Sequence, residues 1–294
     1  MGLGSSIASG LPDLAKLTDE VQKQLTGADK KFFEELRAGN GNLETILNRL
    51  RALCEILRGA DSFHGLTEDS SKLLDSAICG LIYKIIAADD PNPSPAHLSF
   101  AQWVQHSQRN VAVEVFTSNY DLLFEVAFEL IGLPYFDGFI GAVKPFFAPQ
   151  SVDPLTPIDV QRSVPPLTWA RLWKLHGSVG WRFVTDAISK QKKIIRVIGL
   201  GPKPGEEVVI YPSRDKYSES RRLPYLTYMD RFRRYLVAGE RIFIVCGYSF
   251  GDEHINEVIA HLARPTEGYR AGRSRNTTGR SHPFAMRTRH GGPI

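Results

Sequence analysis

The sequence predicts an α/β protein: a parallel sheet whose strands end in polar clusters, with a mainly helical block beside it. Three runs carry that prediction. The β-branched and aromatic run Val111–Thr117 stops at Ser118-Asn119-Tyr120-Asp121 and is followed by the helix-like segment Leu122–Leu130, a strand–turn–helix unit. A second apolar run, Thr168–Leu175, ends in His176-Gly177-Ser178. A third, Arg241–Cys246, reads as the clearest buried parallel strand and ends in Gly247-Tyr248-Ser249. Ligands of parallel sheets bind beyond the carboxyl ends of the strands, so polar groups at those ends are candidates for chemistry. Thr-Ser-Asn ahead of a helix is also an ordinary capping sequence, and a lone strand-end histidine is often structural.

Taken in order, the chain opens on a glycine-dense loop, Gly2-Leu-Gly-Ser-Ser-Ile-Ala-Ser-Gly10, that leads into a helix marked by Leu14, Leu17, Val21 and Leu25. Glycines there permit close backbone approach, and amides near a helix start suit a pyrophosphate. Such a loop is expected to follow a strand, and the sequence as given begins inside the loop.

Residues 27–108 are helical in pattern. Phe32, Phe33 and Leu36 mark one helix; Leu43, Ile46, Leu47, Leu50, Leu53, Ile56 and Leu57, with Asn42 as cap, mark another. Leu73, Leu74, Ala77, Ile78, Leu81, Ile82 and Ile85 mark a third, broken by Asp89–Pro95 before a helix over Ala96–Ser107. These stripes are core, the block is expected to cover the site as a lid, and His64, His97 and His106 are expected at surface or capping positions.

Gly132–Leu167 reads as a long aromatic-rich connector with its rings packed beneath it, including Tyr135, Phe139 and Phe147. Glu207–Pro212 is a short strand, Tyr225–Val237 an amphipathic helix, and Asp252 caps a helix over His254–Leu262.

Composition narrows the class. The 294 residues are 43% hydrophobic and 23% charged, ordinary for a globular chain, and the net charge of +4 gives no general nucleic-acid signal. The three cysteines, Cys54, Cys79 and Cys246, lack paired C-x-x-C spacing, which argues against a zinc site and a disulfide framework and for a reducing cytoplasm. No apolar run reaches membrane-spanning length and no secretory signal opens the sequence.

The order of the motifs is informative in itself. Gly2-Leu-Gly-Ser-Ser-Ile-Ala-Ser-Gly-Leu-Pro-Asp13, Thr117-Ser-Asn-Tyr-Asp121, Leu175-His-Gly-Ser178 and Gly247-Tyr-Ser249 together resemble the sirtuin-like family of NAD-consuming domains, from Gly2 to about Leu262. The resemblance implies a Rossmann-like parallel sheet with a helical second module and NAD as substrate. It places Gly2, Gly4 and Ser5 in the NAD-phosphate loop, with Ser118, Gly247 and Ser249 as further cofactor contacts. Asn119 and Asp121 would lie near the nicotinamide ribose, and His176 would be the catalytic base.

The departures select a branch. Protein-deacylating sirtuins carry zinc cysteines soon after His-Gly, Gln before the Asn, and Phe-Arg after Pro-Asp. Here His176–Phe183 is followed by no paired cysteines, and Ser118, Leu14 and Ala15 hold the other positions. With Tyr211-Pro-Ser-Arg-Asp-Lys-Tyr217 and Gly247-Tyr-Ser-Phe-Gly-Asp-Glu-His254, the chain resembles the bacterial antiphage-defence branch, which hydrolyses NAD to nicotinamide and ADP-ribose. That branch implies no zinc, a homo-oligomer, and a companion defence protein such as an ATPase, nuclease or Argonaute-type protein.

Cleaving the nicotinamide–ribose bond builds positive charge on the sugar, so groups that orient the ribose and water, plus a base, are required. Asn119 is expected to orient, Asp121 to fix that arrangement or stabilise the cation, and His176 to accept a proton. A non-catalytic NAD or ADP-ribose sensor, and a protein deacylase, are the alternatives. Residues 1–263 are expected to form the NAD-binding domain, with 27–108 a helical insertion, and the Arg- and Gly-rich 264–294 a disordered basic tail. Both ends depart from the family pattern, as an incomplete or frame-altered product would.

Overall fold

The run that ends at Thr117 alternates its side chains between two faces, and each face has its own core. In the computed structural model this run is β1 (Glu114–Thr117), paired in parallel with β5 (Ala170–Lys174), which pairs in parallel with β2 (Tyr135–Phe136). The register runs from Glu114 opposite Arg171 to Thr117 opposite Lys174, with Tyr135 opposite Ala170. The structure describes residues 4–39, 41–57, 59, 62–87, 92–152, 165–185, 190, 192–201, 207–210, 224–237, 241–262, 270–271 and 284–288.

Val115 and Leu172 point to one face, where α6 (Pro95–His106) and α7 (Leu123–Leu130) contribute Ala101, Val104, Phe124 and Phe128. Phe116 and Trp173 point to the other, where α9 (Pro224–Val237) brings Tyr228 and Phe232 and α10 (Glu253–Leu262) brings Ile255 and Val258. Each such large apolar side chain contributes about 1.5–3 kcal/mol on burial, which is why the strand is apolar on both sides. Glu114 is the exception: it accepts from Trp173 Nε1 at 2.9 Å and from Arg231 Nε at 2.9 Å, tying α9 to the sheet. The fold is therefore α/β with a Rossmann-like parallel sheet.

The helical block comprises α2 (Leu14–Gln24), α3 (Gly27–Arg37), α4 (Leu43–Ile56) and α5 (Glu68–Ile86), preceded by the short α1 (Gly4–Ile7). Asp13, Asn42 and Thr67 cap α2, α4 and α5 through backbone N–H groups three residues on. Leu17, Val21, Phe33, Ile46, Leu47, Leu50, Leu74, Ile78 and Ile82 form their shared core. Tyr120, Leu122 and Val179 belong to the same core, so the block is seated directly on the turn that follows β1. Among the described residues no helix is long and apolar enough to cross a membrane.

Several expectations change. The connector 132–167 holds β2, a strand of the parallel sheet, together with β3 (Phe139–Ile140), β4 (Phe146–Phe147) and α8 (Pro149–Val152). Strands of two residues carry no readable period. After His176 the chain enters an antiparallel sheet, ordered β3-β4-β7-β6-β8, in which β6 (Gly177–Thr185) lies between β7 (Lys192–Arg196) and β8 (Glu207–Ile210).

The segment expected as a buried parallel strand is β9 (Arg241–Val245), and its described partner, β11 (Phe284–Thr288), runs antiparallel. Ile242 and Ile244 are 62% and 56% exposed, while Phe243 and Val245 pack inward. A continuous apolar run does not reveal that only one face is covered. Of the expected tail, 264–294, the described residues are those of β11 and of β10 (Arg270–Ala271), which pairs with it.

Candidate active site

The turn after β1 is built by its own side chains. Thr117 Oγ1 accepts from the Asn119 N–H at 3.1 Å, and Asp121 Oδ1 accepts from the Leu123 N–H at 3.1 Å at the entrance to α7. Tyr120 and Leu122 point into the helical core, leaving Asn119 and Asp121 on the opposite side of the turn. There they meet Ser6 of α1: Asn119 Nδ2 donates to Ser6 Oγ at 2.6 Å, and Ser6 Oγ donates to Asp121 Oδ2 at 2.6 Å. Ser6, Asn119 and Asp121 are 1%, 1% and 4% exposed.

Lys174, the last residue of β5, locks the turn from below. Its Nζ donates to the Asp121 carbonyl and pairs with Glu125 Oε1 at 2.9 Å, both side chains buried. Burial pushes the Glu125 carboxyl up, against the opposing pull of Lys174.

The β5–β6 turn lies against the same place. The Leu175 N–H donates to the Thr117 carbonyl at 2.8 Å and the Val179 N–H to the Tyr120 carbonyl at 3.0 Å. Gly177, at φ +93°, supplies the left-handed backbone this reversal requires. His176, 7% exposed, is thereby held beside Tyr120, with ring centroids 6.5 Å apart.

Both ring nitrogens of His176 face carboxylates: Nε2 lies 2.7 Å from Asp252 Oδ2 and Nδ1 3.6 Å from Glu44 Oε1. Tyr120 OH donates to the same Glu44 oxygen at 2.8 Å. Burial works to lower the His176 pKa, but hydrogen bonds and charge from Asp252 and Glu44 outweigh it and raise it to about 9. Burial in turn works to raise Asp252, and His176 holds it down at about 2. The two carboxylates thus favour the protonated ring over the neutral one.

The other expected site residues are distributed unevenly. Gly2 and the 211–217 motif lie outside the described residues. Gly4 and Ser5 belong to α1, whose next residue, Ser6, makes the contacts. Ser118 is half-buried in the turn, Gly247 adopts φ +61° after β9, and Ser249 is exposed.

Ser6, Glu44 and Asp252 are therefore the groups that sequence reasoning did not assign to the site. Ser6 is one residue from a residue that was assigned, and Asp252 was read only as a helix cap, a role it also fills by accepting from the Ile255 N–H at 3.0 Å. Glu44, in the first turn of α4, carries no local signal. His97 is also more buried than a surface position, 3% exposed, with Nδ1 2.8 Å from the helix-capping Ser94 Oγ. Among the described residues no group of His, Cys, Asp and Glu is arranged to hold a metal.

A polar cluster buried at the carboxyl ends of adjacent parallel strands, with a helix-entry turn closing it, agrees with what similarity to known sequences finds. The family model of the SIR2-like domain matches residues 113–277, from the start of β1 onward. The chain belongs to the SIR2-like family. No curated protein matches it. SIR2-like domains are often NAD-utilising enzymes, which supports NAD-related activity in general.

Proposed function

We propose that this SIR2-like chain hydrolyses NAD to nicotinamide and ADP-ribose as part of a bacterial antiphage defence system. One observation carries the reading: Ser6 links Asn119 and Asp121 in a buried hydrogen-bonded group on the turn after β1, and His176 follows the end of the neighbouring parallel strand β5. An amide, a hydroxyl and a carboxylate offer both donors and acceptors to a carboxamide and a ribose diol. These groups are buried, so a bound substrate exchanges their internal hydrogen bonds for bonds to itself.

In the reaction the bond between ribose C1′ and the pyridinium nitrogen breaks, and its electron pair leaves with neutral nicotinamide. Water adds to C1′ and loses a proton. Asn119 orients the ribose and the incoming water, and Asp121 stabilises the cationic sugar. His176, once neutral, accepts the proton from water or a ribose hydroxyl. A preorganised polar group of this kind contributes on the order of 3–4 kcal/mol of barrier, and a positioned base about 10²–10⁴-fold in rate.

The catalytic unit in this reading is 1–263, with the helical block closing over the site. Resemblance to the antiphage branch supports a cytoplasmic homo-oligomer acting with a companion defence protein, without zinc. The test is incubation of NAD with the purified chain and with Asn119→Ala and His176→Ala. Nicotinamide release by the wild type and its loss in both variants is the expected result, and release retained in both overturns the assignment. NAD or ADP-ribose binding without release replaces the hydrolase with a sensor, and release that depends on an acylated peptide replaces it with a deacylase.

A further inference from the structure

Three separate elements meet at His176. Glu44 arrives from the first turn of α4 in the helical block, Asp252 from the cap of α10, and the histidine itself from the β5–β6 turn. Each carboxylate is held in place by a further contact. Glu44 Oε1 accepts from Tyr120 OH, and Asp252 Oδ1 accepts from the Ile255 N–H while Oδ2 faces the ring. Tyr248 OH closes the same corner by donating to the Asp252 carbonyl at 3.1 Å.

A neutral imidazole carries one N–H and one lone pair, so it can satisfy a carboxylate at only one of its nitrogens. An imidazolium has a proton at both. Carboxylates at both nitrogens of a buried ring are the geometry of a stored cation.

We propose that Glu44 and Asp252 form a carboxylate clamp that holds His176 as an imidazolium in the resting chain, making both of them positioning residues that withhold the base until the clamp opens. The inference rests on the reading of His176 as proton acceptor in NAD hydrolysis. An imidazolium has no lone pair with which to take a proton from water or from a ribose hydroxyl. The Nε2 proton first passes to bulk water, Nε2 regains its lone pair, and the substrate's hydroxyl or the attacking water, taking the position that the Asp252 carboxylate held, then donates to Nε2. Because Glu44 belongs to α4, any displacement of the helical block also changes the charge around the base.

Among the described residues, three further titratable groups face the clamp. Tyr120 is a neutral phenol hydrogen-bonded to Glu44, Tyr248 a phenol that burial and then the Asp252 charge push well up, and His254 a neighbour whose charge acts on Asp252. At His176 burial favours the neutral ring, and the two carboxylates outweigh it.

The experiment is a pH titration of the histidine ring resonances of the full chain by NMR, with His176 assigned by the signal lost in His176→Gln. Asp252→Asn and Glu44→Gln are compared with wild type, because each amide still accepts from the Ile255 N–H or the Tyr120 hydroxyl and so preserves local structure. His176 is expected to titrate at about pH 9 in wild type. Its proton affinity is expected to fall about tenfold or more in Asp252→Asn and by less in Glu44→Gln, in line with the shorter contact of Asp252. The pH of half-maximal nicotinamide release moves down in the same order. Titration of wild-type His176 at or below its ordinary 6.5, or no movement in either variant, overturns the clamp. A wild type that releases no nicotinamide at any pH defeats the hydrolase reading instead, and the NMR titration then decides the clamp alone.

Discussion

Two polar clusters lie side by side at the ends of β1 and β5, and they are held by different physics. The Ser6–Asn119–Asp121 group is joined by short hydrogen bonds, and its frame is mostly local: Asn119 and Asp121 sit on one turn that Thr117 and the Leu123 N–H shape. The His176 group is joined by charge across long sequence separations, Glu44 on one side and Asp252 on the other. The first presents a fixed donor–acceptor surface. The second presents a proton whose residence depends on two distant elements staying in place. In the proposed hydrolysis, placement falls to the first cluster and proton control to the second.

The sharpest way to break the first cluster is from beneath it. Glu125→Leu leaves Lys174 a buried cation without its carboxylate and is expected to destabilise the fold by about 3–5 kcal/mol, read from chemical denaturation. A loss under about 1 kcal/mol would show that the pair does not anchor the turn. Next in size, Asn119→Ala is expected to slow nicotinamide release by about 10²–10³-fold and, by breaking its buried bond to Ser6, to cost about 1–3 kcal/mol of stability. Ser6→Ala removes the hydroxyl that links Asn119 to Asp121 inside the cluster and is expected to cost about 1–3 kcal/mol of stability as well as activity.

The smallest of these effects tests the second cluster by pH. A histidine held at about 9 against an ordinary 6.5 stabilises the fold fully below about pH 6.5, and that contribution is lost as pH rises through 9. Asp252, held at about 2 against 3.8, describes the same pair from the acid side: its contribution is present above 3.8 and lost as pH falls through 2. The wild-type melting temperature is therefore expected to decline between pH 6.5 and 9 more than that of Asp252→Asn. Parallel curves would mean that the pair is not formed in solution.

Much of the first cluster was legible in sequence. Asn119 and Asp121 follow a β-branched run and precede a helical pattern, and local chemistry alone puts them at a strand end. The caps at Asn42 and Asp252 and the helices of the block were equally plain, because periodicity and capping are local properties. Ser6 was missed by one position, since a glycine-serine loop does not state which hydroxyl turns inward. The antiparallel sheet after His176, the strand at Tyr135–Phe136 and the exposed face of β9 were not legible at all. Strand partners are chosen by what else the chain brings alongside, and two-residue strands leave no period to read.

The sequence by itself determined the α/β class, the helical block and the identity of the polar residues that end β1 and β5, because each follows from short-range pattern and backbone chemistry. Only the tertiary structure decided that Asn119 donates to Ser6, and that His176 stands between Glu44 and Asp252. The physical reason is distance along the chain. A hydrogen bond or ion pair between residues more than seventy positions apart exists only after the helices and sheet have packed, and in this molecule that packing sets whether the histidine carries its proton.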